Sequence, residues 1–406
     1  MQSDRQERKL GEALKFANGR TSPERADDGE FVVYGSNGPI GRSSEHNSPS
    51  NAIVIGRVGS YCGAVHFSPK PCWVTDNAIR AEVLTGNHPY YIFSLLRMLD
   101  LNRWRSGSGQ PLLNQSILSA IQVILPSFDI QCEIGLFLKQ LDDRIDLLYQ
   151  TNATLESIAQ ALFKSWFIDF DPVRAKAEGR EPEVMDADTA ALFPDSFEDS
   201  ALGRVPHGWE VRALDSFANY LNGLALQKYP PESDDEYLPV IKIAQLRAGN
   251  TVGADRASAN LKPEYIIRDG DVLFSWSGSL EVEFWCGGDG ALNQHLFKVT
   301  SKEVPKWFYY LATRYFLPEF REIAAHKATT MGHIQRKHLT EARLAFPSAN
   351  LIARLGEVIG PLLDRRIANS LQMRELVAIR DTLLPRLMSG KLRLSEDEAQ
   401  LKEALA

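Results

Sequence analysis

Cysteine is scarce in this chain, with 4 among 406 residues, and Cys62, Cys72, Cys132 and Cys286 show neither a CxxC spacing nor a neighbouring histidine cluster. A zinc site and a disulfide framework are thereby excluded, leaving four small buried hydrophobes. No apolar run is long enough to cross a bilayer, and the opening MQSDRQERKL is too polar for a signal peptide, so a cytoplasmic protein is expected. The glycine cluster at residues 35–41 lacks both the GxxxxGKS/T spacing and a following helix, which makes it a structural turn. DPVR at 171–174 lacks the second proline and the aromatic residue of the DPPY type of motif, and Pro172 reads as a helix stop at Asp171. No Ser/His/Asp set and no carboxylate pair beside a lysine in nuclease-like order stands out. Catalysis by this chain alone is not expected, nor is a bound cofactor or metal.

What is present begins with charge. The net charge of −7 is wrong for a binder of polyanions until it is localised. Residues 178–199 hold Glu178, Glu181, Glu183, Asp186, Asp188, Asp195, Glu198 and Asp199 against Arg180, so this segment carries the whole imbalance and the remainder is neutral. Its proline and alanine content reads as a solvated acidic linker. A length of 406 residues implies two or three domains.

The clearest long helix runs over 130–170. Ile134, Leu138, Leu141, Ile145, Leu148, Asn152, Leu155, Ala159 and Leu162 follow alternating steps of four and three, the heptad seam of a coiled coil, which requires a partner helix. At about 1.5 Å per residue the run from 130 to 167 would reach roughly 57 Å, the length of a strut between two bodies. Asn152, the one polar seam position, suits a buried amide that fixes register. The candidate partner is a second copy: Pro126 maps to Pro347, Leu155 to Leu376 and Leu162 to Leu383. Its looser seam passes through Ile359, Leu362, Ile367, Leu371, Leu376, Ile379, Leu383 and Leu387. Pro361 and Pro385 are tolerable there only near a turn end or a kink.

The segments before the two helices also match. In the first, LGEALKFANGRTSPER is a short helix or strand entering a polar loop, FVVYG is a strand, and AIVIGRVGSYCGAVHFS is a strand, a turn at Gly59 and a returning strand. The helix HPYYIFSLLRML, the loop RWRSGSGQPLLNQ and the strand AIQVILP follow. Residues 207–347 repeat that order, with Ser277, Gly278 and Ser279 in the place of Val58, Gly59 and Ser60, and Asn293 in the place of Asn77. The fold class expected is α+β (mixed α/β) with an internal pseudo-twofold repeat: two globules separated by two long coiled-coil helices. The boundaries read are 1–126 and 207–347 for the globules, 127–170 and 348–394 for the helices, 171–206 for the acidic linker and 395–406 for an acidic tail.

VYGSNGPIG, SGSGQPLLNQ, LFKSWFIDFDPVRAK and DTLLPRLMSGKLRL together resemble the specificity subunit of type I restriction-modification systems, over nearly the whole chain. The resemblance implies that each globule is a target recognition domain and that the helices pack antiparallel. It further implies that the subunit directs two copies of a methyltransferase subunit, which would use S-adenosylmethionine, and a restriction/translocase subunit to a split site in double-stranded DNA. A single-chain enzyme of DNA modification or cleavage and a stand-alone DNA-binding regulator are the competing readings.

Two loops at equivalent places in the repeat carry the chemistry for DNA. In the first globule Arg103 and Arg105 flank Trp104, followed by Ser106, Ser108, Gln110 and Asn114; in the second, Lys327, Thr329, Thr330, His333, Gln335, Arg336 and Lys337 lie in a stretch without an acid. Arg and Lys neutralise phosphates or read guanine, and Gln and Asn pair with adenine in the major groove. SGSGQ has no counterpart in the second loop, as expected of loops that vary with target. Phe163, Trp166, Phe167, Ile168 and Phe170 put too many apolar groups at one strut end to face water. They pack on the following globule or the second strut, or they receive a methyltransferase partner's helices.

Overall fold

The computed structural model describes residues 5–106, 112–183, 185–326 and 332–394. The chain divides into two compact units, Met1–Asp146 with Leu376–Ala406, and Leu147–Glu375. Each unit therefore owns one globule and a part of each long helix, a division that cuts across the sequential order of globule, strut, linker, globule and strut.

The first unit begins with β1 (Arg5–Lys9), α1 (Leu10–Ala13), β2 (Leu14–Asn18), β3 (Phe31–Gly35), β4 (Gly38–Ser43) and β5 (Ala52–Gly56). It continues through β6 (Val65–Ser68), β7 (Cys72–Val74), β8 (Ala78–Val83), α2 (Pro89–Met98), α3 (Gln115–Ala120), β9 (Gln122–Pro126) and the first part of α4 (Phe128–Phe167). An antiparallel sheet runs β2-β8-β5-β6, a second runs β4-β3-β7 with β3 and β7 parallel, and β1 pairs with β9. All five residues of β5 are buried because the strand serves two cores. Ile53 and Ile55 join the cluster under α2, while Ala52 and Val54 join Tyr34, Cys72 and Val74 on the other face. The glycine cluster forms the β3–β4 hairpin, with Gly35 opposite Gly38 and Gly38 at a φ of 100° that a side chain would resist.

In the second unit, after α4, come α5 (Asp171–Ala177), α6 (Ala187–Ala191), β10 (Phe197–Ser200), β11 (Gly203–Pro206), β12 (Glu210–Ala213), α7 (Leu214–Phe217) and β13 (Asn219–Asn222). Then follow β14 (Tyr237–Ile241), α8 (Ile243–Ala248), β15 (Arg256–Ser258), β16 (Ile266–Ile267), β17 (Val272–Ser275), β18 (Val282–Phe284), β19 (Gly290–Leu292) and β20 (Leu296–Thr300). The unit closes with α9 (Lys306–Tyr315), α10 (Leu317–His326), α11 (Arg336–Glu341), β21 (Arg343–Phe346) and most of α12 (Ala349–Ser389). The topology of the first unit recurs: β13-β20-β17-β18 repeats the antiparallel sheet, β14 and β19 form the parallel pair with β15 beside them, and β12 pairs with β21. Strand β17 again feeds two cores, Val272 and Phe274 on one side and Leu273 on the other.

Within the second unit Asn152 of α4 reaches Arg366 and Ser370 of α12, and Glu156, one turn on, reaches Arg366. Partner numbers fall as α4 numbers rise, so the two helices run antiparallel. In the first unit Asp142 meets Arg380 at 2.7 Å, and Ile134 and Leu138 share a core with Leu387 and Met388. The α4 seam is buried or half-buried throughout, as its heptad spacing requires.

Four expectations are corrected by the packing. Residues 171–206 are not simply a solvated linker, because α5, α6 and the β10–β11 hairpin bury Val173, Phe193 and Val205 in the core of the second unit. The acids between them stay at the surface or cap helices, as Asp186 does by accepting from the Thr189 N–H at 2.9 Å. Pro172 does follow the end of α4, but it also occupies the first turn of α5, where its missing N–H costs nothing. Pro361 lies inside the continuous α12 on an exposed position, where the carbonyl its ring leaves unpaired can turn to water. Finally, Asn293 corresponds to Thr75 rather than Asn77. Both make an isolated parallel bridge, to Leu224 and Arg20, and it is His295 that takes the place of Asn77.

Candidate nucleic-acid interface

Three chain segments converge at the same point of each globule. In the first unit the Arg57 N–H donates to the Asn77 carbonyl at 3.0 Å, and the Leu113 N–H donates to the Arg57 carbonyl at 3.1 Å. Ser106 and Leu112 exchange backbone hydrogen bonds of 3.1 and 3.0 Å, which pins both ends of the loop between them. Gly63, at a φ of 91°, lies so close to the turn Leu101–Trp104 that a Cβ there would stand 2.6 Å from the Asn102 nitrogen. That close approach, available only to glycine, holds Arg103 beside the β5–β6 connection.

In the second unit the Trp276 N–H donates to the His295 carbonyl at 3.3 Å and the Ile334 N–H to the Trp276 carbonyl at 3.0 Å. The Gly278 N–H donates to the Gly332 carbonyl at 2.8 Å. Trp276 therefore occupies the place of Arg57, and Ile334 that of Leu113.

The sequence-predicted residues fall into four groups. Arg103, Arg105 and Lys337 are exposed at these convergences. Asn114, Gln335 and Arg336 have structural duties. Asn114 caps α3 by accepting from the Ile117 N–H at 2.9 Å, and Gln335 stands at the same cap position of α11, its N–H donating to His338 Nδ1 at 2.9 Å. Arg336 donates to the Tyr220 carbonyl at 3.0 Å and lies 5.6 Å over the Phe297 ring. Ser106 anchors its loop through its backbone, and His333 bridges to Ser277 with its ring edge-on to Trp276 at 6.3 Å. Ser108, Gln110, Lys327, Thr329 and Thr330 lie outside the described residues.

Sequence reasoning passed over Arg57, Trp276, Gln294 and His295. His295 Nδ1 lies 3.0 Å from Ser277 Oγ, and the Trp276 indole N–H donates to Asn222 Oδ1 at 3.0 Å and to the Gln294 carbonyl at 3.2 Å. The signal that could have found Arg57, Trp276 and His295 was their position, directly after the end of a repeated strand or directly before the start of one; Gln294 lies between two strands.

Of the two readings of the apolar strut end, the structure shows packing within the chain. Phe163, Trp166, Phe167 and Phe170 are buried in the second unit's own core, and the half-buried Ile168 packs against the same core. Phe167 meets Phe308 at 5.3 Å and Phe170 meets Trp209 at 5.9 Å. Burial of this kind contributes about 1.5–3 kcal/mol per large side chain, and it leaves no exposed patch at these residues. Among the described residues no group of three or more His, Cys, Asp or Glu is placed to hold a metal ion, and no helix is long and apolar enough to cross a membrane.

A repeated α+β globule with exposed cations at the same convergence in each copy, built onto paired antiparallel helices, defines a class of recognition scaffold. Residues 2–157 and 206–369 match the model of the type I restriction modification DNA specificity domain, and the chain belongs to that family. It is 26% identical over 333 residues to the type I restriction enzyme HindI specificity subunit of Haemophilus influenzae, covering 71% of this chain and 72% of that one. It is likewise 26% identical over 331 residues to the MjaIX specificity subunit of Methanocaldococcus jannaschii, covering 79% and 72%. The crystal structure of a type I restriction-modification S subunit from M. genitalium superposes with a TM-score of 0.60 at 15% identity, over 94% of this chain and 96% of that one, and so shares the fold.

Proposed function

We propose that each globule, residues 1–126 and residues 207–347, reads one half of a bipartite duplex site through the major groove, and that α4 and α12 set the gap between the halves. The chain acts as a non-catalytic recognition subunit. Two copies of a methyltransferase subunit, which hold the S-adenosylmethionine, and a restriction/translocase subunit assemble on it. One observation carries this reading: the same backbone convergence occurs once in each unit but presents different side chains, Arg57 and Asn77 in one, Trp276 and His295 in the other. Shared scaffolding with divergent chemistry is what two readers of unlike half-sites need, since base edges are told apart by the donors and acceptors set against them. The exposed Arg103, Arg105 and Lys337 supply phosphate contacts that position without specifying.

Sequencing methylated DNA from cells that carry this subunit with its methyltransferase partner tests the proposal. One split motif is expected, and it should disappear when this subunit is omitted. Methylation or cleavage by the purified chain alone would replace the scaffold reading with that of a single-chain enzyme.

A further inference from the structure

The guanidinium of Arg57 stands at the convergence of the first unit in an unusual state. The residue is half-buried, and its Nε is enclosed with no hydrogen-bond partner among the described residues. Its backbone, by contrast, is held on all sides. The N–H donates to the Asn77 carbonyl, and the carbonyl accepts from the Leu113 N–H at 3.1 Å and from the Cys62 thiol at 3.2 Å. The Cα is therefore fixed while a donor on the side chain goes unused. An enclosed donor without an acceptor is costly in a folded protein, because it has given up water and gained nothing in return.

The corresponding position in the second unit shows that this cost is not inherent in the fold. Trp276 has the same backbone bonds, yet its indole N–H is satisfied twice, by Asn222 Oδ1 and by the Gln294 carbonyl. The second unit completes the site with its own acceptors. In the first unit no described residue supplies an acceptor to the Arg57 Nε.

We infer that Arg57 is a specificity-determining residue of the first recognition domain, its planar fork meeting the paired acceptors of a guanine edge. The inference rests on the DNA-reading function proposed above. A base edge is favoured over a phosphate by placement. Arg103 and Arg105 are exposed and free to follow a backbone, whereas Arg57 is recessed and its main chain is immobilised, as a directional two-point contact requires. Guanine O6 and N7 are the acceptor pair that arginine meets bidentately.

The test uses the complex assembled with its methyltransferase subunit and duplexes carrying the mapped motif, randomised in one half at a time, across a salt series. Arg57→Ala and Arg57→Lys should both lose preference at one guanine-containing base pair of one half, by roughly 5- to 150-fold, the range of a bidentate base contact. Preference in the other half should be unchanged, which also reports that both variants are folded. Lysine keeps the charge but not the fork, so its failure to rescue is the distinguishing result. Retained preference in both variants would overturn the inference. So would equal weakening on all sequences with a shallower salt dependence and recovery by Arg57→Lys, the signature of a phosphate contact. If the unaltered complex showed no sequence preference, the DNA-reading function itself would fall, and this residue's role with it.

Discussion

Asn369 donates its side-chain amide to Oδ1 of Asn152 over 2.9 Å, and both residues are buried between α4 and α12 in the second unit. The Asn152 amide in turn donates to the Arg366 carbonyl at 3.1 Å and to Ser370 Oγ at 3.0 Å, so these bonds form only when the two helices are in one register. Asn152→Leu strands the Asn369 amide in an apolar seam. A loss of about 1–3 kcal/mol is expected in denaturant unfolding. The double variant with Asn369→Leu should recover most of that loss, because apolar replacement of both partners removes the unpaired group. A double variant no more stable than the single one would show that the amides are not coupled.

A second buried cluster ties α9 to the helix pair. Glu156 lies 3.0 Å from Arg314 Nε and 3.1 Å from Arg366 Nε, and it accepts from the Tyr310 hydroxyl at 3.0 Å. Burial acts to lower the Arg366 pKa, but Tyr310, Glu283 and Glu156 around it outweigh burial and hold it above the ordinary value. Glu156→Gln leaves two guanidiniums to share Glu283, and a loss on the order of 3–5 kcal/mol is expected. A change under about 1 kcal/mol in the unfolding free energy would mean that solvent screens the cluster as it does a surface pair.

Acid sensitivity should trace to depressed carboxylates. Burial pushes Asp269 up, yet hydrogen bonds from Arg374 and from the Gly288 N–H hold it below its ordinary value of 3.8. The Arg212 fork holds Glu303 below 4.5. Groups depressed in the folded state contribute stability that is complete above their unfolded pKa and is lost as pH falls through the folded one. Thermal midpoints should therefore fall steadily below about pH 4.5. The double variant Asp269→Asn with Glu303→Gln should start lower at neutral pH and lose less across that window. An unchanged slope would assign the acid transition to other groups.

The exposed cations and the cap residues should separate in binding assays. Arg103→Ala, Arg105→Ala and Lys337→Ala in the assembled complex should weaken binding to all sequences alike. Each should reduce the salt slope by about 1. Gln335→Ala should relax preference in one half only if its side chain also reads a base. Should it leave preference intact, its role is confined to starting α11.

The heptad of α4, the second helix and the repeated order of strands were legible in the residues because each is a local periodicity or a linear correspondence. Ile134 to Leu162 needed no neighbour to be recognised, and Asn152 stood out as the one amide in an apolar row. The matching helix caps at Asn114 and Gln335 were visible as equivalent positions, but their capping duty was not, because an amide that starts a helix and an amide that reads adenine look the same in a sequence. The acidic stretch was misjudged for a related reason. Charge dominates its composition, while the folding decision rests on Val173, Phe193 and Val205, three residues that find a core only after the globule exists.

The sequence by itself determined the period of each element, the existence of two copies and the helices' need for partners, since backbone geometry converts spacing directly into faces. Tertiary structure alone decided that β3 lies parallel to β7 and that Phe163, Trp166, Phe167 and Phe170 are spent on the second unit's core. It also decided that Glu156 meets two arginines and that, among the described residues, the Arg57 Nε has no acceptor where the Trp276 indole has two. Each of these joins residues far apart in the chain, and whether a polar group is satisfied depends on which distant atoms the fold sets beside it.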